Sequence, residues 1–401
     1  MSSLTPINPD TINEMFTTAC NAQMEGRLQE AQKLYSELLT FIDAPLLHYN
    51  LGLVYYDLSD YENALPHFET SVKCNPEDID SLFNLALCYK KCSRISDSIT
   101  FYKKVLVLET NNFDALYNLA GCYRELRQDQ SAIETYLKVL EIHQDHISAT
   151  NNLAYMFQIT GQPDQAIRYY KNVLSLDPGH EAATHMLASL EGVTPQSSPD
   201  SYVRGVFDNY SDHYEKSLID ELHYSVPTKL RTLFNSIFPE DYIVSSGLDL
   251  GCGTGLSGEA FGNIVKSLDG IDLSEKMLDI AREKDIYTSI FSGNIVDYLR
   301  STKIKYDFFV ATDVFNYVGN LKEVFSLAQS TASKNAVFCF STETITGDSF
   351  KLQPSGRFAH SPGYIVEVVK KAGWNVELQK QTGLRMEKGK WIPGVLWILK
   401  N

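Results

Sequence analysis

A period of 34 residues runs through the first half of the chain. Each repeat carries an asparagine, a leucine and a small residue, with an aromatic residue three positions later; the four asparagines are Asn50, Asn84, Asn118 and Asn152. Each repeat then has a second small residue (Ala64, Ser98, Ala132, Ala166) and a second aromatic residue (Phe68, Tyr102, Tyr136, Tyr170). Such a period indicates stacked helix pairs, because small residues let helices approach and aromatic rings fill the space between repeats. The first half is therefore predicted to be an all-α solenoid.

This pattern resembles the tetratricopeptide (TPR) repeat. An earlier, weaker unit contains Ala19, Ala22, Ala31 and Tyr35, which gives five predicted repeats over residues 12–179 after a tail at 1–11. Residues 180–199 are predicted to form a helix that caps the array, followed by a linker, because Gly, Ser and Pro are frequent from 192 to 199.

A glycine-rich loop dominates the second half. The segment Leu248-Asp-Leu-Gly-Cys-Gly-Thr-Gly255 follows an apolar run and precedes apolar residues at helical spacing, which predicts a strand, a tight turn and a helix. Glycines at 251, 253 and 255 let the backbone turn sharply and leave room for a flat ligand. Asp249 suits a ligand with an ammonium group better than a pyrophosphate, and Asp272 can accept hydrogen bonds from ribose hydroxyls.

These motifs, together with Gly270-Ile-Asp-Leu-Ser-x-x-Met277, resemble those of class I S-adenosylmethionine (SAM)-dependent methyltransferases. The resemblance implies an α/β domain at 241–401 with a Rossmann-like, seven-stranded sheet, and SAM as the cofactor. The residues that it assigns to cofactor binding are Asp249, Gly251, Gly253, Gly255, Asp272, Leu273, Met277 and Asn294. A dehydrogenase is the main alternative for such a loop, and Asp249 argues against it. The region from 200 to 401 is also similar to a group of predicted methyltransferases that carry TPR repeats.

Residues 200–240 are predicted to form helices that cover the cofactor as a lid. Phe207, Tyr210 and Tyr214 are the aromatic residues of this segment that can cover the SAM or reach its carboxylate. Simple helix packing is an equally good interpretation of the same pattern.

Candidate catalytic residues follow the fourth and fifth predicted strands. Asp313 and Tyr317 lie at the end of the fourth, where an acceptor should meet the methyl group. Glu343 and His360 are further candidate bases, and Arg357 either pairs with a carboxylate substrate or fixes its loop by a salt bridge. Methyl transfer is an in-line displacement, so a base is required only when the acceptor carries a proton.

The type of acceptor is narrowed by motifs that the sequence lacks. The fourth strand is followed by neither Asn/Asp-Pro-Pro-Tyr/Phe nor Pro-Cys, which disfavours methylation of planar nitrogens and of cytosine C5. We therefore expect an oxygen acceptor, a carboxylate or hydroxyl on a small molecule or carrier-bound substrate. The alternative is a TPR interaction scaffold whose methyltransferase-like domain is structural or inactive.

Charge and composition limit the partners and the location. The net charge is −15, of which residues 1–199, with 13 basic and 25 acidic residues, contribute −12. Because a basic footprint is lacking there, we expect no nucleic-acid partner. The sequence has no apolar run of membrane-spanning length, and its seven scattered cysteines fit reduced thiols, so we expect a cytoplasmic protein without a membrane partner. No metal site is predicted, since Cys88-x3-Cys92 lacks a second cysteine pair.

The repeated asparagines are candidate partner-binding residues. Asn50, Asn84, Asn118 and Asn152 occupy one position of successive repeats, so stacking should place them in a row on the concave surface. An amide can pair with both the C=O and the N–H of an extended peptide. The TPR superhelix of the O-linked N-acetylglucosamine transferases, which this array resembles in having such a row, holds peptides in that manner. The alternative is that each asparagine ties its own repeat to the next.

Overall fold

The computed structural model describes residues 8–210, 215, 218, 222–239 and 241–401. The chain divides into two compact units, Met1–Pro178 and Gly179–Asn401. Within the described ranges, no helix has both the length and the apolar character needed to cross a membrane.

The first unit is built from antiparallel helix pairs, as the repeat period predicts. Five pairs are described: Pro9–Met24 with Leu28–Leu38, Pro45–Asp57 with Tyr61–Cys74, Ile79–Lys91 with Ile95–Leu108, Phe113–Glu125 with Asp129–Ile142, and Ile147–Ile159 with Pro163–Leu176. The repeated small residues Ala64, Ser98, Ala132 and Ala166 have no exposed surface, and the repeated aromatics Phe68, Tyr102, Tyr136 and Tyr170 are at most 1% exposed. These positions therefore form the core of the solenoid.

Helix starts recur with the same period as the core. Asp78, Asn112 and His146, each 34 residues after the last, accept a hydrogen bond from the backbone N–H three residues later. Such caps satisfy N–H groups that the first helical turn leaves unpaired. His180 caps the helix Glu181–Glu191 in the same way, so the period continues one helix further than the pairs, although this helix belongs to the second unit.

The turn inside each of the last four helix pairs has a left-handed residue at a fixed position. Ser59, Ser93, Arg127 and Gly161 follow one another at intervals of 34 residues and have φ of 61°, 60°, 56° and 77°. A side chain at such a φ costs about 1–2 kcal/mol, and only glycine adopts it without strain. The repeat geometry therefore costs conformational free energy at this turn position in every repeat where the residue is not glycine.

Exchanging residues at this turn should change stability in opposite directions. Gly161→Ala should lower the free energy of unfolding by about 1 kcal/mol, since an added Cβ meets no atom within 4 Å and only the backbone strain remains. Arg127→Gly, at an exposed position, should raise it by less than about 1 kcal/mol, because relieved strain is partly offset by chain entropy. Urea unfolding followed by circular dichroism measures both; equal effects of the same sign would contradict this explanation.

The second unit contains the predicted seven-stranded sheet. Its strands are β1 (Val244–Leu250), β2 (Val265–Asp272), β3 (Ser289–Ser292), β4 (Tyr306–Ala311), β5 (Ala332–Glu343), β8 (Asn375–Glu387) and β9 (Lys390–Lys400). The order is β3-β2-β1-β4-β5-β9-β8; the first five are parallel, and β9 is antiparallel to both of its neighbours. This is the Rossmann-like α/β architecture expected from the sequence. A separate hairpin that the sequence did not predict pairs β6 (Phe350–Leu352) with β7 (Phe358–His360).

Helices and buried side chains cover both faces of the sheet. The described helices are Glu181–Glu191, Asp200–Tyr210, Val226–Asn235, Leu256–Phe261, Glu275–Glu283, Ile295–Ser301, Lys322–Thr331 and Pro362–Lys371, with 3-10 turns at Gly262–Ile264 and Phe315–Tyr317. Along β4 and β5, alternate residues enter opposite cores: Phe309 and Phe338 one, Phe308 and Val337 the other. Both faces of the sheet are buried at β4 and β5, which is why the sequences of these strands are continuous apolar runs.

The segment predicted as a linker forms part of this unit. Ser197 makes an antiparallel bridge with Val318, the Ser198 N–H donates to the Tyr317 carbonyl (2.9 Å), and the Asn320 N–H donates to the Gln196 carbonyl (2.8 Å). Residues 196–198 of the predicted linker are thus held by backbone pairing with the chain that follows β4. Composition signalled a break in regular structure, and no local pattern signalled the long-range pairing.

Candidate active site

The glycine loop turns sharply at the end of β1. Gly251, Gly253 and Gly255 have φ of 67°, 52° and 98°, so each occupies the region that glycine favours. The N–H groups of Gly251 and Cys252 both donate to the Ile271 carbonyl, at 2.8 and 3.0 Å, which fastens the loop to β2. A Cβ added to Gly251 would lie 2.5 Å from Cγ2 of Val314, so the close approach itself excludes a side chain.

Asp249 is a fully buried carboxylate at the base of this loop. Its Oδ2 accepts a hydrogen bond from the Tyr287 hydroxyl at 2.7 Å, whereas its Oδ1 has no partner among the described residues. Burial raises the pKa of Asp249 to about 7, against the opposing effect of the Tyr287 hydrogen bond. An unpaired buried carboxylate oxygen is costly, and a ligand cation such as an ammonium group would compensate it.

Asp272 holds the loops after β1 and β2 together. Its Oδ2 accepts the Gly253 N–H and its Oδ1 accepts the Ser274 N–H, both at 2.9 Å. Burial raises the pKa of Asp272, and the backbone N–H donors, which favour the ionised form, oppose that shift. Each oxygen keeps a further lone pair, so the carboxylate can still accept hydrogen bonds from a ligand.

These loops surround a cavity of about 450 Å³ in the second unit. It lies beyond the carboxyl ends of β1, β2 and β4, where open α/β sheets bind ligands. The lining residues are Gln196, Ser197, Ser198, Asp200, Val203, Phe207, Gly251, Gly253, Asp272, Leu273, Asn294, Ile295, Val296, Asp297, Thr312, Asp313, Val314, Tyr317, Val318, Asn320 and Glu323. The cavity thus brings together seven of the predicted site residues, Gly251, Gly253, Asp272, Leu273, Asn294, Asp313 and Tyr317.

Other predicted cofactor residues support the lining from behind it. Asp249 lies below the loop, Gly255 begins the helix Leu256–Phe261, and Met277 is fully buried in the helix Glu275–Glu283. Asn294 caps the helix Ile295–Ser301 through its Oδ1, which accepts the Val296 N–H at 2.8 Å. Its remaining amide group donates to Asp200, so Asn294 has structural partners in addition to its place in the lining.

The helix Asp200–Tyr210 contributes to the lining of the cavity. Val203 and Phe207 line the cavity, and the Ser274 hydroxyl donates to Asp208 Oδ1 at 2.6 Å. The Phe207 ring lies 5.4 Å from that of Tyr317. Part of the segment predicted to be a lid therefore lines the cavity, and its covering of a cofactor stays a prediction. The predicted role of Tyr214 lies outside the described residues, as does that of the Tyr210 side chain.

Asp313 and Tyr317, the two residues predicted to lie near the methyl acceptor, also line the cavity. The Asp313 N–H donates to Ser341 Oγ at 3.0 Å, and Asp313 Oδ2 pairs with an Arg385 nitrogen at 2.7 Å. Burial raises the pKa of Tyr317 to about 12, although the nearby Arg357 and Arg385 oppose the shift. Tyr317 is thus a neutral hydroxyl near pH 7, able to donate a hydrogen bond but not to act as a base.

His360 does not fit the catalytic role predicted for it. Its side chain is fully buried outside the lining, and Nε2 donates to the carbonyls of Val318 (3.0 Å) and Gly319 (2.9 Å). Burial lowers the pKa of His360 to about 4. These contacts indicate a structural role, in which His360 holds the backbone of Val318 and Gly319 directly after Tyr317. Arg357 bonds to Glu343 and Glu387, which agrees with the loop-fixing interpretation rather than with substrate binding.

Sequence reasoning missed several residues of the site. Tyr287, Gln196, Ser197 and Arg385 belong to no local motif, and each reaches its place through a contact distant in sequence. For Arg385, the alternation of Arg and Glu at 385 and 387 on one strand face was the available signal.

Removing the glycine at 251 should be harmful for a steric reason. Gly251→Ala should lower the free energy of unfolding by about 1–3 kcal/mol, because the new Cβ would overlap Val314. Gly253→Ala is the matched control, since its Cβ would meet no atom within 4 Å and only the positive φ is penalised. Adding Val314→Ala should restore much of the stability lost in Gly251→Ala. Thermal melting measures all three, and a failure of the second substitution to rescue would contradict the steric explanation.

Known proteins resemble the two parts of the chain separately. Residues 248–334 match a family described as a methyltransferase domain, and four tetratricopeptide-repeat families match residues 45–78, 67–100, 114–146 and 147–180. A curated relative, ubiquinone biosynthesis O-methyltransferase of Shewanella halifaxensis (strain HAW-EB4), is 26% identical over an alignment of 148 residues, and the match covers 31% of this chain. The matched part spans 61% of that relative's length.

Solved structures resemble part of the chain. A MamA crystal structure has a TM-score of 0.41 at 20% identity and covers 43% of this chain and 94% of its own. YrrB, described as a TPR protein with an unusual peptide-binding site, has a TM-score of 0.40 at 19% identity and covers 43% and 89%.

The family matches agree with the resemblance seen in the sequence. The glycine loop, Asp272 and the end of β4 all fall inside the methyltransferase match. The chain is therefore a TPR-containing methyltransferase-domain protein: tetratricopeptide repeats followed by an α/β domain of the class I methyltransferase fold.

Proposed function

We propose that this protein transfers a methyl group from SAM to an oxygen acceptor, a carboxylate or hydroxyl on a small molecule or carrier-bound substrate. The observation that carries the proposal is the unpaired Oδ1 of the buried Asp249, below a loop whose Gly251 and Gly253 line the cavity. SAM has an ammonium group that would pair with this oxygen. A dinucleotide pyrophosphate would instead bring negative charge to it.

The residues present can hold each part of SAM. The glycines admit a ligand close to the backbone, Asp272 would accept the ribose hydroxyls, and Asn294 and Leu273 line the cavity where the adenine is expected. SAM supplies an electrophilic methyl group on a sulfonium. Val203 and Phe207 would cover the bound cofactor and exclude water.

The acceptor end is formed by the chain after β4. Thr312, Asp313, Val314 and Tyr317 line it, so these residues would hold an acceptor in the same cavity as SAM, as direct methyl transfer requires. An oxygen acceptor is favoured by the absent nitrogen-specific motifs and by the O-methyltransferase relative. Asp313 and Tyr317 are the proposed catalytic residues.

SAM binding should depend on the ionisation of Asp249. In the free protein its raised pKa contributes stability that is full below about pH 4 and is lost as the pH rises through 7. Pairing with an ammonium requires the carboxylate, so the affinity for SAM should rise about fivefold between pH 6 and pH 7, as the ionised fraction does. Isothermal titration calorimetry measures this rise.

Two variants separate a specific role of Asp249 from a general effect of buried charge. Asp249→Asn should bind SAM at least tenfold more weakly and lose the pH dependence between 6 and 7. Asp269→Asn is the matched control. Like Asp249, Asp269 accepts a hydrogen bond from a tyrosine hydroxyl, that of Tyr306 at 2.9 Å, and it is buried on β2 but does not line the cavity. It should bind SAM normally. No heat of binding in the wild-type protein would favour the alternative of a scaffold with an inactive domain.

We further propose that the TPR array binds a protein or an extended peptide through Asn50, Asn84, Asn118 and Asn152. Two of these amides already have partners in the preceding repeat: Asn84 Nδ2 donates to the Tyr49 hydroxyl (3.0 Å), and Asn152 Nδ2 donates to that of Tyr117 (3.2 Å). These bonds support the alternative of a structural tie. A peptide would therefore have to use the remaining acceptor and donor atoms of the row.

Asn84 and Asn118 should differ if the tie matters. Asn118 Nδ2 donates to its own helix at the Asp114 carbonyl, so Asn118→Ala should change stability little. Asn84→Ala should lower the free energy of unfolding by about 1 kcal/mol, and Tyr49→Phe should not add to that loss in the double variant. Urea unfolding measures the cycle. If the effects of Asn84→Ala and Tyr49→Phe on the free energy of unfolding were additive, the two side chains would not be coupled. The structural alternative would then be rejected, and peptide binding would remain as the role of the four asparagines.

A further inference from the structure

Five charged side chains form a connected network behind the acceptor end of the cavity. Asp313 follows β4, Glu343 ends β5, Arg357 precedes β7, and Arg385 and Glu387 lie on β8. Arg385 is in contact with Asp313 (2.7 Å), Glu387 (2.8 Å) and Glu343. Arg357 joins Glu343 (2.8 Å) and Glu387 (2.6 Å).

The network is buried and unevenly charged. The Arg385 and Glu343 side chains are only 5% and 7% exposed, and three carboxylates face two guanidinium groups. Removing one partner from such a cluster leaves an uncompensated buried charge, so the members hold one another in place. Of the five, Asp313 alone is part of the cavity lining, so the network meets the cavity through this carboxylate.

Asp313 reaches this position with a strained backbone. Its φ of 56° lies in the left-handed region, which side chains other than glycine rarely adopt. Two contacts hold it there: its N–H donates to Ser341 Oγ and its Oδ2 pairs with Arg385. Strain that the surroundings enforce in this way is characteristic of functional sites.

We propose that Arg385 is a positioning residue that fixes the Asp313 carboxylate toward the cavity, where Asp313 takes the proton of a hydroxyl acceptor. This rests on the methyl transfer proposed above and narrows its acceptor to a hydroxyl. The O–H bond breaks and its proton goes to Asp313 Oδ1. The oxygen electron pair forms the new bond to the methyl carbon, and the electrons of the broken carbon–sulfur bond stay on sulfur.

Charge favours a hydroxyl over a carboxylate acceptor. Arg357 and Arg385 are both committed to the network carboxylates, so a substrate carboxylate at Asp313 would meet like charge. A neutral hydroxyl can instead donate a hydrogen bond to Asp313. Burial raises the pKa of Asp313 while Arg385, the strongest opposing charge, keeps the ionised form accessible; Glu343 and Arg357 are the other charges that act on it. A base is most effective with a pKa close to the working pH.

The positioning role can be measured without any acceptor. In the full chain labelled with 13C at aspartate carboxyls, the Asp313 signal is identified by its loss in Asp313→Asn and is then titrated. Arg385→Gln should move the Asp313 titration at least one pH unit upward, a tenfold gain in proton affinity, because the opposing cation is removed. Glu387→Gln, which removes a negative charge from the same network without touching Asp313, should move it downward.

Outcomes of this titration either support or overturn the proposal. An Asp313 that is protonated at pH 7 in the wild-type protein, or a titration unmoved by Arg385→Gln, overturns it. Should Arg385→Gln fail to fold, Arg385→Lys keeps the charge but not the forked geometry. It should then fold and shift the titration in the same direction by a smaller amount.

The acceptor class is tested by the chemistry of the product. The protein is incubated with SAM labelled on the methyl group and a small-molecule extract, and the products are treated with mild alkali, which releases methanol from methyl esters but not from methyl ethers. We expect alkali-stable label, at least 100-fold reduced in Asp313→Asn while calorimetry shows unchanged SAM affinity. Alkali-labile label overturns the hydroxyl assignment. Absence of SAM binding counts instead against the proposed methyl transfer.

Discussion

The hydrogen bonds of Asp272 with Gly253 and Ser274 are the contacts on which the candidate site depends. They join the loop after β1 to the loop after β2, and both loops contribute to the cavity lining. A carboxylate can serve two backbone donors and still face a ligand, because each oxygen has two acceptor positions. The same residue therefore shapes the loop and retains acceptor positions for a ligand, for which we proposed the ribose hydroxyls. Its loss would disturb cofactor binding even if no direct contact with the ligand existed.

The two buried carboxylates of the candidate site, Asp249 and Asp313, differ in whether a cation of the protein pairs with them. At the proposed cofactor end, Asp249 is buried and one of its oxygens has no partner among the described residues, which would suit a ligand cation. At the acceptor end, Asp313 is paired with Arg385 inside the protein. Similar residues thus differ in function because one carboxylate is compensated by the fold and the other is not.

Much of this architecture could be predicted from local sequence. The 34-residue period gave the helix pairs and their packing positions, because each repeat makes the same contacts with its neighbours. The glycine loop and Asp272 were predictable for a related reason: a strand, a turn and a helix N-terminus follow one another directly in the chain. Residues that act within such a short segment leave a readable motif. The position of Asp313 in the cavity lining at the end of β4 was predicted from strand order alone, whereas its pairing with Arg385 was not.

Contacts between distant segments explain what the sequence did not reveal. His360 was proposed as a base because it follows the fifth predicted strand in a loop that contains glycine and proline, yet the β6–β7 hairpin buries it against the carbonyls of Val318 and Gly319. Arg385 lies 72 residues from Asp313 and reaches it because the β8–β9 hairpin continues beyond Glu343, the last residue of β5 that pairs with β9. In both cases the side chain contacts the short stretch that begins at Asp313. The left-handed backbone of Asp313 turns this stretch, His360 bonds to the carbonyls at its other end, and Arg385 pairs with the Asp313 carboxylate. Because these partners come from β7 and β8, the part of the cavity lining that follows β4 depends on the assembly of β5 to β9.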